Sequence, residues 1–488
     1  MKLTTTNSQG TLMKTLCVAA VALAALLATA AEAAVPGITG TSFSLVASAD
    51  YISQPDGAQI YSWGYGCDSS TTPTFVPFAG TCGPMQMPGP TLIVTENQLV
   101  TVTLTNKLPL AAGNTSIIFS GLTVSAGNDG VAGLRAQEAA PNSSVTYTFT
   151  AGHPGTYAYY SGTQSDLQIE MGLYGAVVVL PATSPASCKP KGPYSSSAAA
   201  YGNANTCYDR EYLFQFAELT SSIHDAVLAQ VNACSAAPCP QIAVRTEPVQ
   251  PNYFLINGRS MPDDMDAAYA PAYPRQPYNG NPHMHPGENV LMRVVGQGRV
   301  QHPFHFHGNH ARVLARDGNL IVSASDSGAL AGPLLFTIPT VSGQSVDAIF
   351  TWTGKGLNWD VYNHKSGDGS SCTPDANGYN SLIGSANYGE WCADHLKAIP
   401  ITPPDPQIVL AGPWYSGTPY LGIQTPGSSG FTKTPEAPGT LNLNPEAGYA
   451  YMWHSHDERE ITTNDVFPGG MMMMLLIDPP VWSIDETL

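Results

Sequence analysis

The stretch Pro88–Asn106, PGPTLIVTENQLVTVTLTN, sets a Pro-Gly-Pro turn ahead of a run in which Val100, Val102 and Leu104 alternate with Thr101, Thr103 and Thr105. A period of two puts one face of an extended strand in a core and the other toward water. Similar segments follow at Ser144–Thr150 (SVTYTFT), Gly155–Gly162 (GTYAYYSG) and Gly172–Pro181 (GLYGAVVVLP). Six or more short strands between about Val35 and Pro181 predict a β-sandwich. A Pro/Lys/Ser/Ala-rich segment over 183–205 reads as a linker, after which strand patterning resumes. Tyr253–Arg259, Pro286–Gly296, His302–Gly308, Ala311–Gly318 and Ser345–Trp352 are its successive strands, in a second domain over 206–365. His224–Val231, after Ser221 and Ser222, is the one convincing short helix. Residues 366–403, rich in Gly, Ser, Asn and Asp, read as a connector or insertion. Within 404–488, Thr440–His456 and Gly469–Pro480 return to strands. That last piece is short for a sandwich: it is either a truncated third domain or the completion of the second.

Composition agrees with an all-β class. Charged residues are only 11% of 488, and 47 Gly and 41 Pro disfavour long surface helices. The net charge of −17 and the lack of any Lys/Arg run exclude a phosphate-backbone binder, so no nucleic-acid partner is expected. Residues 1–34 hold Lys14, an uncharged apolar stretch from Leu16 to Ala28, and Ala31-Glu32-Ala33, a small-x-small cleavage site. This is read as a signal peptide, so the protein is expected to be exported, periplasmic or extracellular, with no transmembrane segment in the mature chain. Beyond Cys17, eight cysteines remain, an even number that fits four disulfides in an oxidising compartment. The shortest loops would pair Cys67 with Cys82, Cys188 with Cys207, Cys234 with Cys239 and Cys372 with Cys392, a connectivity that sequence leaves open.

Eight of the twelve histidines lie in two places: His283, His285, His302, His305, His307 and His310, then His454 and His456. In a strand, residues two apart share a face, so His305 projects with His307 and His454 with His456. Two neighbouring strands carrying H-x-H would present four imidazoles to one point, a donor set that suits copper or zinc. Parity sends His302 and Ser455 to the opposite face. Isolated His153, His224 and His395 read as structural residues.

Here the sequence resembles the multicopper oxidase family, cupredoxin-fold proteins that include laccases. HPFHFHGNH (His302–His310) is similar to its H-P-x-H-L-H-G-H motif, and MWHSH (Met452–His456) with GGMM (Gly469–Met472) to its H-C-H and downstream G-M elements. Pro88–Asn106, Phe119–Gly133 and Gly172–Val179 resemble its first domain. The resemblance implies tandem cupredoxin-like Greek-key β-sandwiches with disulfide-stapled loops. It implies a type 1 copper held by two His and a Cys, and a three-copper cluster held by four H-x-H pairs. The chain departs from that pattern. The first-domain pairs read Phe119-Ser120-Gly121 and Tyr160-Ser161-Gly162, Ser455 replaces the cysteine, and Glu460 stands where the later type 1 His is expected. A Ser hydroxyl does not replace a thiolate as a soft copper ligand, so no blue centre and no ordinary laccase activity are expected.

The remaining candidate metal ligands are His305, His307, His454 and His456, with His302 added as the resemblance's type 1 histidine; copper, one ion, is the expected cofactor. His283, His285 and His310 are candidates for extending the site. Met471–Met474 is a candidate cuprous entry patch, with strand core as the alternative. The expected function is an exported copper-binding protein with a mononuclear His-ligated site and residual oxidoreductase capacity, acting on a small molecule or metal ion. A non-enzymatic copper-sequestering or structural protein is the alternative. A third is a zinc, manganese or iron enzyme that adds a carboxylate from Asp457, Glu458 or Glu460.

Overall fold

The computed structural model describes residues 35–125, 137–189, 198–234, 236–355, 372–383, 385, 388–390, 392, 449–478 and 483–485. The signal-peptide reading, the Gly-rich stretch 127–133, His395 and the start of the last segment lie outside these residues.

The alternating stretch becomes Leu92–Thr95 and Leu99–Asn106, two strands that enter different sheets. Leu99–Asn106 lies between Ser42–Ser53, its parallel neighbour, and Ser144–Thr150 in a four-stranded sheet closed by Gln59–Cys67. Val100, Val102 and Leu104 are fully buried, as their alternation requires. Leu92–Thr95 runs parallel to Tyr174–Leu180 in the facing six-stranded sheet. Neighbours distant in sequence mark crossovers between the layers, and one core of Trp63, Tyr65, Phe119, Tyr147, Phe149 and Tyr159 with aliphatic residues fills the space between.

The second sandwich repeats the plan. One sheet holds Tyr253–Ile256, Arg210–Leu219, Asn289–Gly296, Ser345–Thr351, Ala311–Arg316 and Asn319–Leu320, with Leu334–Leu335 also on Ala311–Arg316. The other runs His283–Met284, Met472–Ile477, Tyr449–Ser455, His302–Phe306 and Thr337–Thr340. The C-terminal strands therefore lie inside the second sandwich. Phe304, Phe306, Trp453, Met471 and Met473 meet Phe214, Phe216 and Phe350 in its core. Ala198–Ala199, at the end of the segment read as a linker, pairs with Cys207–Tyr208, and Tyr201 is buried against the second domain.

The helix spans Ser221–Ala233, longer than His224–Val231 because Asn252 Oδ1 accepts from the Ser221 N–H and settles one open donor of the first turn. A one-turn helix at Ser165–Gln168 carried no readable pattern. The cysteines pair over the shortest loops: 67 with 82, 188 with 207, 234 with 239, and 372 with 392.

Candidate metal centre

Strand pairing builds the site. His302–Phe306 runs antiparallel to Tyr449–Ser455 with His305 directly opposite His454, Phe304 opposite Ser455 and Phe306 opposite Trp453. This register gives each strand's alternate residues to one of two faces: phenyl and indole groups enter the core, and the imidazoles of His305, His307 and His454 gather outside it. Ligating nitrogens of His305, His307 and His454 all lie within 4.8 Å of one another. Nε2 of His454 is 3.4 Å from Nε2 of His307. His456 completes the group by ring contact, its centroid 4.8 Å from that of His305.

The protonation and orientation of these rings suit a metal. His305 is pushed down to about 4, first by burial and then by the neighbouring imidazoles of His307, His454 and His456. Burial likewise lowers His454. Neutral imidazoles keep the lone pairs that ligation needs. Nδ1 of His454 lies 2.7 Å from the Ser455 carbonyl oxygen, to which it donates, leaving Nε2 as the ligand atom. Nδ1 of His305 meets Thr337 Oγ1 at 2.9 Å, and the carbonyl of His307 accepts from Trp453 Nε1 at 3.1 Å. Such outer contacts fix ring orientation at metal sites. The donor set fits a nitrogen-bound ion: its widest spread exceeds by less than 1 Å the about 4.2 Å that two ligands at ~2.1 Å span across one ion.

His302 is not brought to this group. Its Nε2 is 2.9 Å from Glu218 Oε2, and its Nδ1 forms an ion pair with Glu460 Oε1 at 2.9 Å. Ser455 Oγ donates to the other oxygen of Glu460. Burial alone would lower His302, but Glu218 and Glu460 outweigh it and push its pKa up to about 9. Where the resemblance implies a type 1 copper, this chain holds a buried imidazolium between two carboxylates. Glu460 is thereby withdrawn from the possible metal carboxylates, while Asp457 and Glu458 are exposed.

Other expected extensions also resolve elsewhere. His283 pairs with Asp478 at 2.6 Å and His285 with Glu288 at 3.2 Å. His310 packs against Phe336, whose ring separates it from His305. Met471 and Met473 are core, and Met472 lies opposite His454. His224 is fully buried and bridges the carbonyls of Tyr61 and Glu170, as a structural residue. At the first-domain positions without histidines, Ser120 Oγ donates to the Gly343 carbonyl and Tyr160 lies against Gly343, so these segments form an interdomain contact. Sequence reasoning missed Glu218 and Thr337. The only signal for Glu218 was a carboxylate at the end of the apolar strand REYLFQFAEL.

Residues 82–184 match the family model described as Multicopper oxidase. This segment of the chain is similar to the multicopper oxidase family. The matched segment lies in the first sandwich, whereas the histidines lie in the second. The chain is 37% identical over 93 residues to copper resistance protein A of Escherichia coli, 19% of this chain and 14% of that protein. It is 37% identical over 98 residues to the laccase abr2 of Aspergillus fumigatus, 20% of this chain and 16% of that protein. The chain thus spans about a seventh of the length of these curated relatives. A blue copper oxidase from Nitrosomonas europaea is similar in structure, with a TM-score of 0.49, 15% identity, and coverage of 89% of this chain and 85% of that one. The chain is accordingly multicopper-oxidase-like in the matched segment.

Proposed function

We propose that the protein is exported and holds a single copper ion between His305, His307 and His454, with His456 beside them. The observation that carries this reading is the convergence of three imidazoles within 4.8 Å, one of them with a pKa as low as about 4. Copper held there supplies Lewis acidity or one-electron exchange. The chain's own residues orient the rings: the Ser455 carbonyl fixes the tautomer of His454, Thr337 meets His305, and Trp453 holds the backbone at His307. Four-electron reduction of oxygen is not part of the proposal, because the first-domain pairs carry no histidine and His302 is committed to Glu218 and Glu460.

The test is elemental analysis of the copper-loaded protein with electron paramagnetic resonance on the same sample. One copper per chain with a type 2 spectrum is expected, lost in the double variant His305→Ala, His454→Ala. Copper retained by that variant at the same stoichiometry, or none bound by the wild type, overturns the assignment. The closed ion pair at His302 also favours a second reading, copper sequestration without turnover. Copper-loaded protein that binds one ion but oxidises neither phenolic substrates nor cuprous ion would select it.

A further inference from the structure

Beyond the metal centre, on the outer face of the seven-stranded sheet, lies a cavity of about 630 Å³. Its volume falls within the roughly 300–1,000 Å³ of small-molecule sites. We propose that it binds a small amphipathic organic carboxylate.

Two kinds of wall support this. Leu314, Leu330, Leu334 and Ile349 make an apolar side; Arg312 supplies a guanidinium and His310 an imidazole. The lining amides are largely spent on the frame. Asn289 accepts from Thr351 Oγ1 and donates to the Cys207 carbonyl, while Asn309 donates to the Thr351 carbonyl. Arg312 differs from them. Its Nη1 donates to the Gly332 carbonyl at 2.8 Å, which anchors the guanidinium, and among the described residues no carboxylate lies within ion-pair distance of it.

No described lining residue is acidic, although acidic residues outnumber Lys and Arg by 36 to 19 in the whole chain. A guanidinium at the edge of an apolar wall selects an anion with an apolar body, and its planar fork matches a carboxylate. The cavity also borders the histidines: the Phe336 ring is 5.2 Å from His310 and 5.8 Å from His305, centroid to centroid, and is half exposed. A ligand in the cavity would therefore sit one aromatic ring from the proposed ligand set.

The probe is 2-naphthoate, with 2-naphthylmethanol as its uncharged analogue, titrated calorimetrically into the full metal-free chain. Naphthoate is expected to bind at least ten-fold more tightly than the alcohol, and Arg312→Gln to abolish that preference while Arg312→Lys keeps part of it. Leu334, 55% exposed, can become Asp without entering the core, and Leu334→Asp should weaken naphthoate at least ten-fold by repulsion. This second variant carries the test should Arg312→Gln fail to fold. Equal binding of acid and alcohol, or wild-type affinity in either folded variant, overturns the proposal. The double variant His305→Ala, His454→Ala should bind naphthoate unchanged, so loss of copper and loss of this site are read separately. Binding abolished by that variant alone would assign the probe to the histidines and also overturn it.

Discussion

Ser455 and His302 meet a common partner, Glu460, and together they decide what the core-facing side of these two strands can do. A blue copper site needs a thiolate and two imidazoles; here one imidazole is present and carries two carboxylates. Ser455→Cys alone should therefore create no strong absorption near about 600 nm after copper loading, because the new sulfur faces Glu460 and His302 stays paired. An intense band in that variant would show that the ion pair yields to the metal. The same pair makes stability depend on pH. The fold raises His302 from an ordinary ~6.5 to about 9, so its contribution is complete below pH ~6.5 and is lost as pH rises through about 9. The gap corresponds to roughly 3 kcal/mol at ~1.36 kcal/mol per pH unit. Urea unfolding between pH 6 and 10 should show this decline in the wild type and a flatter profile in His302→Gln. Parity along the strand placed His302 opposite His305, but no local pattern could name Glu218, 84 residues away, as its partner.

At the level of elements, alternation found the strands that carry the site, because a half-buried strand writes its two faces into the sequence, but it did not name Ser42–Ser53, Gln59–Cys67 or Arg210–Leu219, the last two buried along nearly their whole length. It also placed the four imidazoles on one side once the two H-x-H strands were taken as neighbours, which their antiparallel register satisfies. What alternation could not supply was the partner of a strand. The C-terminal pair Tyr449–Ser455 and Met472–Ile477 was legible as strands, yet only long-range pairing with His302–Phe306 shows that it fills the second sandwich. The Met run was ambiguous for a related reason: a continuous apolar stretch suits both a core strand and a soft-metal patch. Its packing decides, since Met473 is fully buried among Phe and Trp side chains. Met473→Ala should cost about 2–5 kcal/mol through lost burial and the cavity left behind. Copper bound per folded chain should not change, and thermal melts with metal analysis check both outcomes. A fall in copper content without a fall in stability would return the run to a metal role.

Across the whole molecule, two sandwiches share a fixed seam that no sequence pattern announced. Arg293, fully buried, donates to Glu211 at 2.8 Å and to Thr156 of the first sandwich at 3.0 Å, and lies 3.8 Å from Asp347. Thr156 donates in turn to Asp347, which also accepts from Tyr201, and the Val35 N–H reaches Glu211 at 3.3 Å. Burial would lower the guanidinium pKa, but Glu211 and then Asp347 more than compensate and hold it above its ordinary range. Such a network is costly to desolvate, and removing one member costs more than replacing all of them with apolar groups, because the survivors stay buried and unpaired. Arg293→Met should therefore destabilise the protein by about 3–5 kcal/mol. The damage should concentrate at the seam, since Glu211 and Asp347 stay buried without their cation and Thr156 of the first sandwich loses its donor. Calorimetry is expected to turn a single unfolding transition into two, with the second sandwich melting apart from the first. Copper binding to the still-folded second sandwich should persist, because His305, His307 and His454 all belong to it. A variant that unfolds in one step at the wild-type midpoint would mean that the seam is held by its apolar contacts, Ile52, Met87 and Tyr174 against Leu219 and Leu255, and not by charge.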